Sequence, residues 1–370
     1  MQDLTHIAFH RCNKLGDNIV ALKAFYAAKI LYPHAKILIY TNTLGANLYA
    51  CVPFIDEIIN LDEHKALPRR SIDILIITHK MAANIDFAKR TGAKRVIMQA
   101  HLSNLFLPNF LKDFNFSVKS RLESDNILRY VRMIDKSHFD SMLPTIDFTQ
   151  AKLQSAPANQ RYVQQFLDSH ALAHQPLIGI NIFGSGQSAW NFSLDVWLEL
   201  IRTLARTYPM LTFILTSRAQ SPLCSVCFDE PNIIVFANND DILNLVALTS
   251  HLAMLVSVDT GNIHMADNLG IPRVGLYLRS VLNRWAAIGF NNQSFSTKNF
   301  VDTCINKGGG IAERAEEFAS LSVATGQDPN PLAPQFLTLV CEKLAQWLEI
   351  CLNTPKETKG AVYENRKHQS

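Results

Sequence analysis

At 370 residues, with 48% hydrophobic and 18% charged side chains, the chain exceeds what one hydrophobic core usually supports, so two domains are expected, and disorder is excluded except in the polar tail from residue 354. No stretch approaches the roughly 20 apolar residues that span a bilayer, the N-terminus lacks the zones of a signal peptide, and the odd set of seven Cys forms no regular framework, so a cytoplasmic protein with reduced thiols is expected. Residues 1 to 150 carry 19 Lys and Arg against 14 Asp and Glu, an excess of five hidden in a net charge of +3; this favours an anionic partner for the first half or is a set of solvated helix faces.

In chain order, apolar runs of strand length alternate with helical patterns. Residues 4–10 read as a strand, followed by a helix in which Ile19, Leu22, Phe25, Tyr26 and Ile30 recur at helical spacing until Pro33. Strands at 35–41, 56–61, 72–78 and 94–98 follow, with helices at 44–52 and 82–91 between them. Such βαβ alternation predicts a parallel sheet. A Pro-containing connection at 151–175 holds one helix, and the alternation then restarts with strands at 176–183, 211–217, 232–237, 252–258 and 273–278 and helices at 193–207, 240–250 and 262–269. The expected architecture is two facing, doubly wound parallel-sheet domains, 1–150 and 176–330, with a final amphipathic helix at 331–353 that could pack on either.

Three strand-to-helix turns carry chemistry, because open α/β sheets bind ligands outside the carboxyl ends of their strands. In "RCNKLGDNIV" (11–20), Asp17 is either a cap at a helix start or a general base facing a cleft. In "NIFGSGQSAWNF" (181–192), Gly184, Ser185 and Gly186 let backbone approach a phosphate, though the turn is neither a Walker loop nor a dinucleotide fingerprint, and Trp190 reads as a packing residue. In "VSVDTGNIHMADNLG" (256–270), Thr260 and backbone N–H groups suit phosphate, Asp259 suits sugar hydroxyls, Gly261 opens the helix, and His264 either adds charge or packs. Cys224 and Cys227 form a C-x-x-C without a second pair or a nearby His, so they read as ordinary cysteines. No nucleic-acid-binding motif is present, and neither half carries the glycine fingerprint of a dinucleotide oxidoreductase.

Taken together, "KLGDNIVALKAFYAAKILYPHAKI", "IGINIFGSG…WNFSLDVWLELI" and "SVDTGNIHMADNLGIPRVGLY" resemble the lipopolysaccharide heptosyltransferases, the inverting glycosyltransferase family 9, over most of residues 4–290. The resemblance implies a GT-B fold with Rossmann-like domains and transfer of heptose from ADP-L-glycero-D-manno-heptose to the Kdo or heptose inner core, with Kdo-lipid A as acceptor. It implies Asp17 as base and Gly184, Ser185, Gly186, Asp259, Thr260, Gly261 and His264 as donor-binding residues. No cofactor is implied, and no D-x-D metal motif is present. Where relatives place a Lys, this chain has Ser188, so either some of the charge facing the donor phosphates comes from Lys14, Arg279 or Arg284 or donor affinity is lower; Arg218 stands near where relatives carry a ribose-contacting Glu. The expected partners are the nucleotide sugar and an anionic glycolipid, met by a monomer attached peripherally to the inner face of the cytoplasmic membrane through Arg69, Arg70, Lys94 and Arg95. The alternatives are a glycosyltransferase for another nucleotide sugar and a non-catalytic nucleotide-sugar-binding protein.

Overall fold

The computed structural model describes residues 4–63, 71–78, 83–100, 102–114, 122–173, 175–184, 190–287 and 318–353. Ser185, Gly186, Ser188, Arg69, Arg70 and the tail from 354 lie outside them. The chain divides into two compact units: Met1–Leu153, with which the described residues from Asn283 to Ala287 are grouped, and a second beginning at Gln154. The connection's helix is therefore part of the second unit.

The first unit contains β1 (His6–Arg11), α1 (Leu15–Leu31), β2 (Lys36–Thr41), α2 (Thr43–Tyr49), β3 (Glu57–Asn60), β4 (Ile74–Ile77), α3 (Ala83–Thr91), β5 (Arg95–Gln99), β6 (Phe110–Asp113), α4 (Glu123–Arg132) and α5 (Lys136–Met142). Its strands form a parallel sheet in the order β3-β2-β1-β4-β5-β6. The central strands are apolar on both faces, as in "ILII" of β4, where all four residues are buried, because helices cover a parallel sheet from both sides. On α1, Ile19, Leu22 and Phe25 are fully buried, and Phe25 meets Phe9 of β1 at 4.6 Å between ring centroids.

The second unit contains α6 (Pro157–Ser169), β7 (Leu177–Asn181), α7 (Leu194–Thr207), β8 (Thr212–Arg218), β9 (Ile233–Asn238), α8 (Ile242–Ser250), β10 (Met254–Val258), α9 (Gly261–Leu269), β11 (Arg273–Leu278), α10 (Arg279–Trp285, whose end is grouped with the first unit), β12 (Phe318–Val323) and α11 (Ala333–Asn353). The strand order is β12-β11-β10-β7-β8-β9, which is the first sheet's order over again when read from the other edge. The last helix, α11, settles on this unit: Phe336, Val340 and Leu344 enter its core, and Phe336 stacks edge-on against Trp197 of α7 at 5.7 Å. Truncating such a buried aromatic typically costs about 3–5 kcal/mol.

In each sheet the strand order reverses once, between β1 and β4 in the first and between β7 and β10 in the second. At such a point neighbouring crossovers leave in opposite directions and open a crevice at the strands' carboxyl ends. Asp17 follows β1; Gly184 follows β7 and Asp259 follows β10. All three turns singled out in the sequence thus sit at reversal points.

Candidate functional site

In the first unit, helix α1 starts without a side-chain cap: its N-cap residue is the exposed Lys14, in extended conformation. By contrast, Asn42 caps α2 and Asp241 caps α8 through side-chain oxygens. Asp17 lies within the first turn of α1, and its carboxylate faces Arg11 rather than a backbone N–H. Arg11, the last residue of β1, is completely buried. Its Nε and Nη2 donate to the main-chain oxygen of Asp17 at 3.0 and 2.8 Å. Its Nη2 also donates to Asp17 Oδ1 at 3.3 Å, and its Nη1 donates to Thr78 Oγ1 at 3.0 Å. The Thr78 hydroxyl in turn donates to the carbonyl of His10 at 3.1 Å, so the guanidinium fills the reversal point between β1 and β4.

Behind Arg11 stands Glu123 at the start of α4, its Oε1 3.9 Å from Nη1. Arg284 donates from Nε to Glu123 Oε2 at 2.8 Å. Asp17, Arg11, Glu123 and Arg284 form a chain of alternating charge. Beside it, the buried Lys23 bonds Asp125 at 3.1 Å. A fully buried guanidinium is tolerable because opposite charges and hydrogen bonds surround it. Asp17 itself keeps a side-chain exposure of 21%; Oδ1 is held by Arg11, and Oδ2 has no partner among the described residues. Cys12, next to Arg11, has its thiol pushed up to about 12 by burial and by Asp62, against the pull of Arg11. It stays protonated and is unsuited to nucleophilic work.

In the second unit, β10 ends at Val258 and Thr260 caps α9, its Oγ1 accepting from Asn262 N at 3.2 Å. Asn181, the last residue of β7, ties the crevice together: its Nδ2 lies 3.1 Å from Thr260 Oγ1, from Ser257 Oγ and from the carbonyl of Phe183. One amide thus fixes both the entry to the Gly184 turn and the cap of α9. At its far end α9 closes on Gly270 at φ 74, whose N–H and that of Ile271 bond the last turn's carbonyls; a left-handed residue here favours glycine. Gly275 in β11 lets α9 sit close, since a Cβ there would lie 2.7 Å from Ile263 Cδ1 and 2.2 Å from Tyr277 Cε2.

His264 is buried beneath this turn, and burial, reinforced by Arg273, drops its pKa to about 4. Its Nε2 lies 3.8 Å from Asp259 Oδ1, too long for a hydrogen bond, and the ring is neutral near pH 7. It therefore packs and polarises but supplies no positive charge. Arg273 is engaged by Asp267 in a buried ion pair. Of the cations considered for the donor side, Arg284 is taken up by Glu123, while Arg279 is exposed at the end of β11 and donates weakly to Ser322 at 3.4 Å. Trp190 packs against the core. Arg218 is exposed near Asp240, 3.8 Å away. Lys94 holds Asp73 at 2.7 Å. The exposed Cys224 and Cys227 carry free thiols, and no group of three or more His, Cys, Asp and Glu among the described residues is arranged to hold a metal.

Residues 114–308, just over half of the chain, match glycosyltransferase family 9 (heptosyltransferase). The chain belongs to this family. The matched segment includes the β10–α9 turn and starts beyond Asp17. A Haemophilus influenzae protein named only provisionally, as a glycosyltransferase, is 25% identical over 288 residues, covering 73% of this chain and 81% of that one. Among solved structures, E. coli ADP-heptose lps heptosyltransferase II is 14% identical with a TM-score of 0.66, covering 93% of this family 9 chain and 98% of its own. E. coli heptosyltransferase WaaC, solved with ADP-2-deoxy-2-fluoro heptose, is 12% identical with a TM-score of 0.60, covering 92% and 99%. At such identities the likeness is one of fold, and the fold is GT-B. Arg11 and Glu123 were not singled out in the sequence. The signal available for Arg11 was its place at the end of an otherwise apolar strand, directly before the turn that bears Asp17.

Proposed function

We propose that this family 9 glycosyltransferase moves a heptose, with inversion, from ADP-L-glycero-D-manno-heptose to a Kdo or heptose hydroxyl of the lipopolysaccharide inner core, with Kdo-lipid A as the acceptor class. The observation that carries this reading is the carboxylate of Asp17: it stands at a reversal point of the first sheet with one oxygen anchored and the other without a partner among the described residues. That is what a general base needs, a fixed group with a lone pair free to take a proton.

In the reaction the acceptor O–H gives its proton to Asp17 Oδ2 while its oxygen bonds the anomeric carbon from the face opposite the leaving group. The bond from that carbon to the diphosphate oxygen breaks, and its electron pair departs with ADP. Charge developing on the diphosphate is met by the N-terminal N–H groups of α9 and its dipole, and by the Arg279 guanidinium. Thr260 and Gly261 border that helix end, with the Gly184 turn beside them; Asp259 takes sugar hydroxyls, and the neutral His264 sets the floor beneath it. No resident metal or cofactor has a part in this scheme.

A glycolipid acceptor calls for contact with a membrane surface. No helix among the described residues is long and apolar enough to cross one. Leu102 and Phe106, which are 81% and 92% exposed, follow β5 at the same carboxyl edge of the sheet as Asp17. With the basic excess of the first half they support peripheral, salt-sensitive attachment to an anionic membrane surface, which we take to be the inner face of the cytoplasmic membrane.

The test is transfer by the purified protein to Kdo-lipid A from ADP-heptose and from a panel of other nucleotide sugars. Product from ADP-heptose above the rest is expected. Preference for another donor overturns the heptose assignment, and donor binding without turnover overturns the enzymatic one.

A further inference from the structure

We infer that Arg11 is the positioning residue of the transfer reaction: it fixes Asp17, backbone and carboxylate together, in the orientation that presents Oδ2 to the acceptor. The inference rests on Asp17 being the base.

The argument starts from how Arg11 distributes its donors. A buried arginine serving only the fold would be expected to meet its carboxylate partner head-on through parallel N–H bonds. Arg11 does not; Glu123 stays 3.9 Å away and gives its close contact, 2.8 Å, to Arg284. The donors of Arg11 converge instead on one residue, with two bonds to the main-chain oxygen of Asp17 and a third to its Oδ1, while Nη1 is tethered to Thr78. Three directions of a rigid planar fork are thereby used, which the single point charge of a lysine cannot reproduce.

The second step concerns the start of α1. Lys14 provides no side-chain cap to the first turn, whose N–H groups are met by main-chain oxygen alone at Asn18 N to Lys14 O, 3.1 Å. Arg11 supplies the restraint from beneath, gripping a carbonyl of the first turn. Asp17 has two side-chain torsions, and holding Oδ1 and the main-chain oxygen from one rigid group fixes both. Glu123 and Arg284 complete the arrangement: Glu123 attracts the guanidinium from behind, and Arg284 balances that acid. Arg11 can therefore keep its place whether Asp17 carries a proton or not, as a base that cycles through both states requires.

The experiment compares Arg11→Lys, Asp17→Asn and the double variant by steady-state transfer, with thermal melting as a check on folding. Arg11→Lys is expected to lower kcat by about tenfold to a hundredfold, the penalty of a misplaced reacting group. Its KM for the nucleotide sugar, which Arg11 does not touch, should stay within about twofold. In the Asp17→Asn background, Arg11→Lys should have no further effect, because there is no longer a base to place. Wild-type kcat in Arg11→Lys, or losses that multiply in the double variant, overturn the inference. If Asp17→Asn itself transfers normally, the base assignment falls first, a distinct result. Should the Arg11 variants fail to fold, Thr78→Val keeps the arginine but removes the Nη1 tether and so loosens the guanidinium; a several-fold fall in kcat at unchanged KM supports the positioning role, and a wild-type kcat rejects it.

Discussion

At the end of β1 the first unit buries a full positive charge, Arg11, between the carboxylates of Asp17 and Glu123. At the corresponding place in the second unit, the ends of β7 and β10 bury neutral groups, the Asn181 amide and the Ser257 hydroxyl, with the half-buried Thr260 hydroxyl beside them. Of the titratable residues nearby, His264 is kept neutral by burial and Arg273 is paired with Asp267, which leaves Asp259 as the charged group of the turn. The two sheets have the same strand order, so topology alone does not distinguish the crevices. Under the proposed function, what distinguishes them is the ligand-facing charge each would keep. A proton acceptor needs its own negative charge held in one place, which a buried cation does. A bed for a diphosphate needs N–H and O–H donors, which a polar network and a helix N-terminus would provide, with the carboxylate of Asp259 beside them left to sugar hydroxyls.

Four substitutions break or sharpen this contrast. The largest effect is expected at Asp17. Asp17→Asn keeps the shape and the Arg11 contact but removes the base, and a positioned base typically contributes 10²–10⁴-fold; single-turnover rates with normal melting check this, and normal transfer would falsify the assignment of the base.

Next is His264, whose effect falls on stability. Its pKa in the fold is about 4, below the ordinary value of 6.5, so between these pH values the unfolded chain binds more protons. Stability contributed by the neutral ring is complete above about pH 6.5 and is lost as pH falls toward 4, by a total on the order of 3 kcal/mol. The unfolding free energy of the wild type, from denaturant titrations at several pH values, should fall as pH drops through this window with a steeper slope against pH than that of His264→Gln. Equal slopes would mean that the ring is not held neutral.

Asn181→Ala removes the amide that ties Thr260 to the Gly184 turn. Weakened donor binding by about tenfold is expected, matching one to two buried hydrogen bonds, with kcat less affected; calorimetric titration with ADP reads it, and unchanged affinity would separate the network from the ligand. The smallest change belongs to Arg279→Ala. An exposed cation acting on phosphate should alter donor KM only a few-fold and mainly at low salt. An effect that persists at high salt would place Arg279 in a drier setting than its exposure indicates.

Much of this arrangement is legible in the sequence, and what is missed has a common cause. β1, α1, β10 and α9 carry strong local patterns: apolar strands, 3.6-residue spacing, and a turn rich in Asp, Thr and Gly. Their predicted and observed limits differ by one or two residues. The helix α4 gives little such signal. Its first turn, Glu123, Ser124, Asp125 and Asn126, looks like a solvated surface, yet all four are buried. They are buried because Arg11, Lys23 and Arg284 face them, partners roughly a hundred or more positions away in the chain. A polar segment that is interior through distant countercharges cannot be told locally from one that is simply wet. The short strands β6 and β12 and the helix α10 escape for a simpler reason: each spans four to seven residues and none carries the unbroken apolar run that marks the equally short β4.

The alternating chain from Asp17 to Arg284 also bears on how the enzyme can change. Removing either inner member, Arg11 or Glu123, leaves an odd charge in a place where water is scarce, so single replacements there are strongly disfavoured. Pairs are another matter: losing Glu123 together with Arg284, or exchanging both for a neutral couple of similar volume, keeps the sum at zero. Variation at these two positions should therefore arrive jointly, and a library that randomises them one at a time would find a barrier where one that randomises both would find a path.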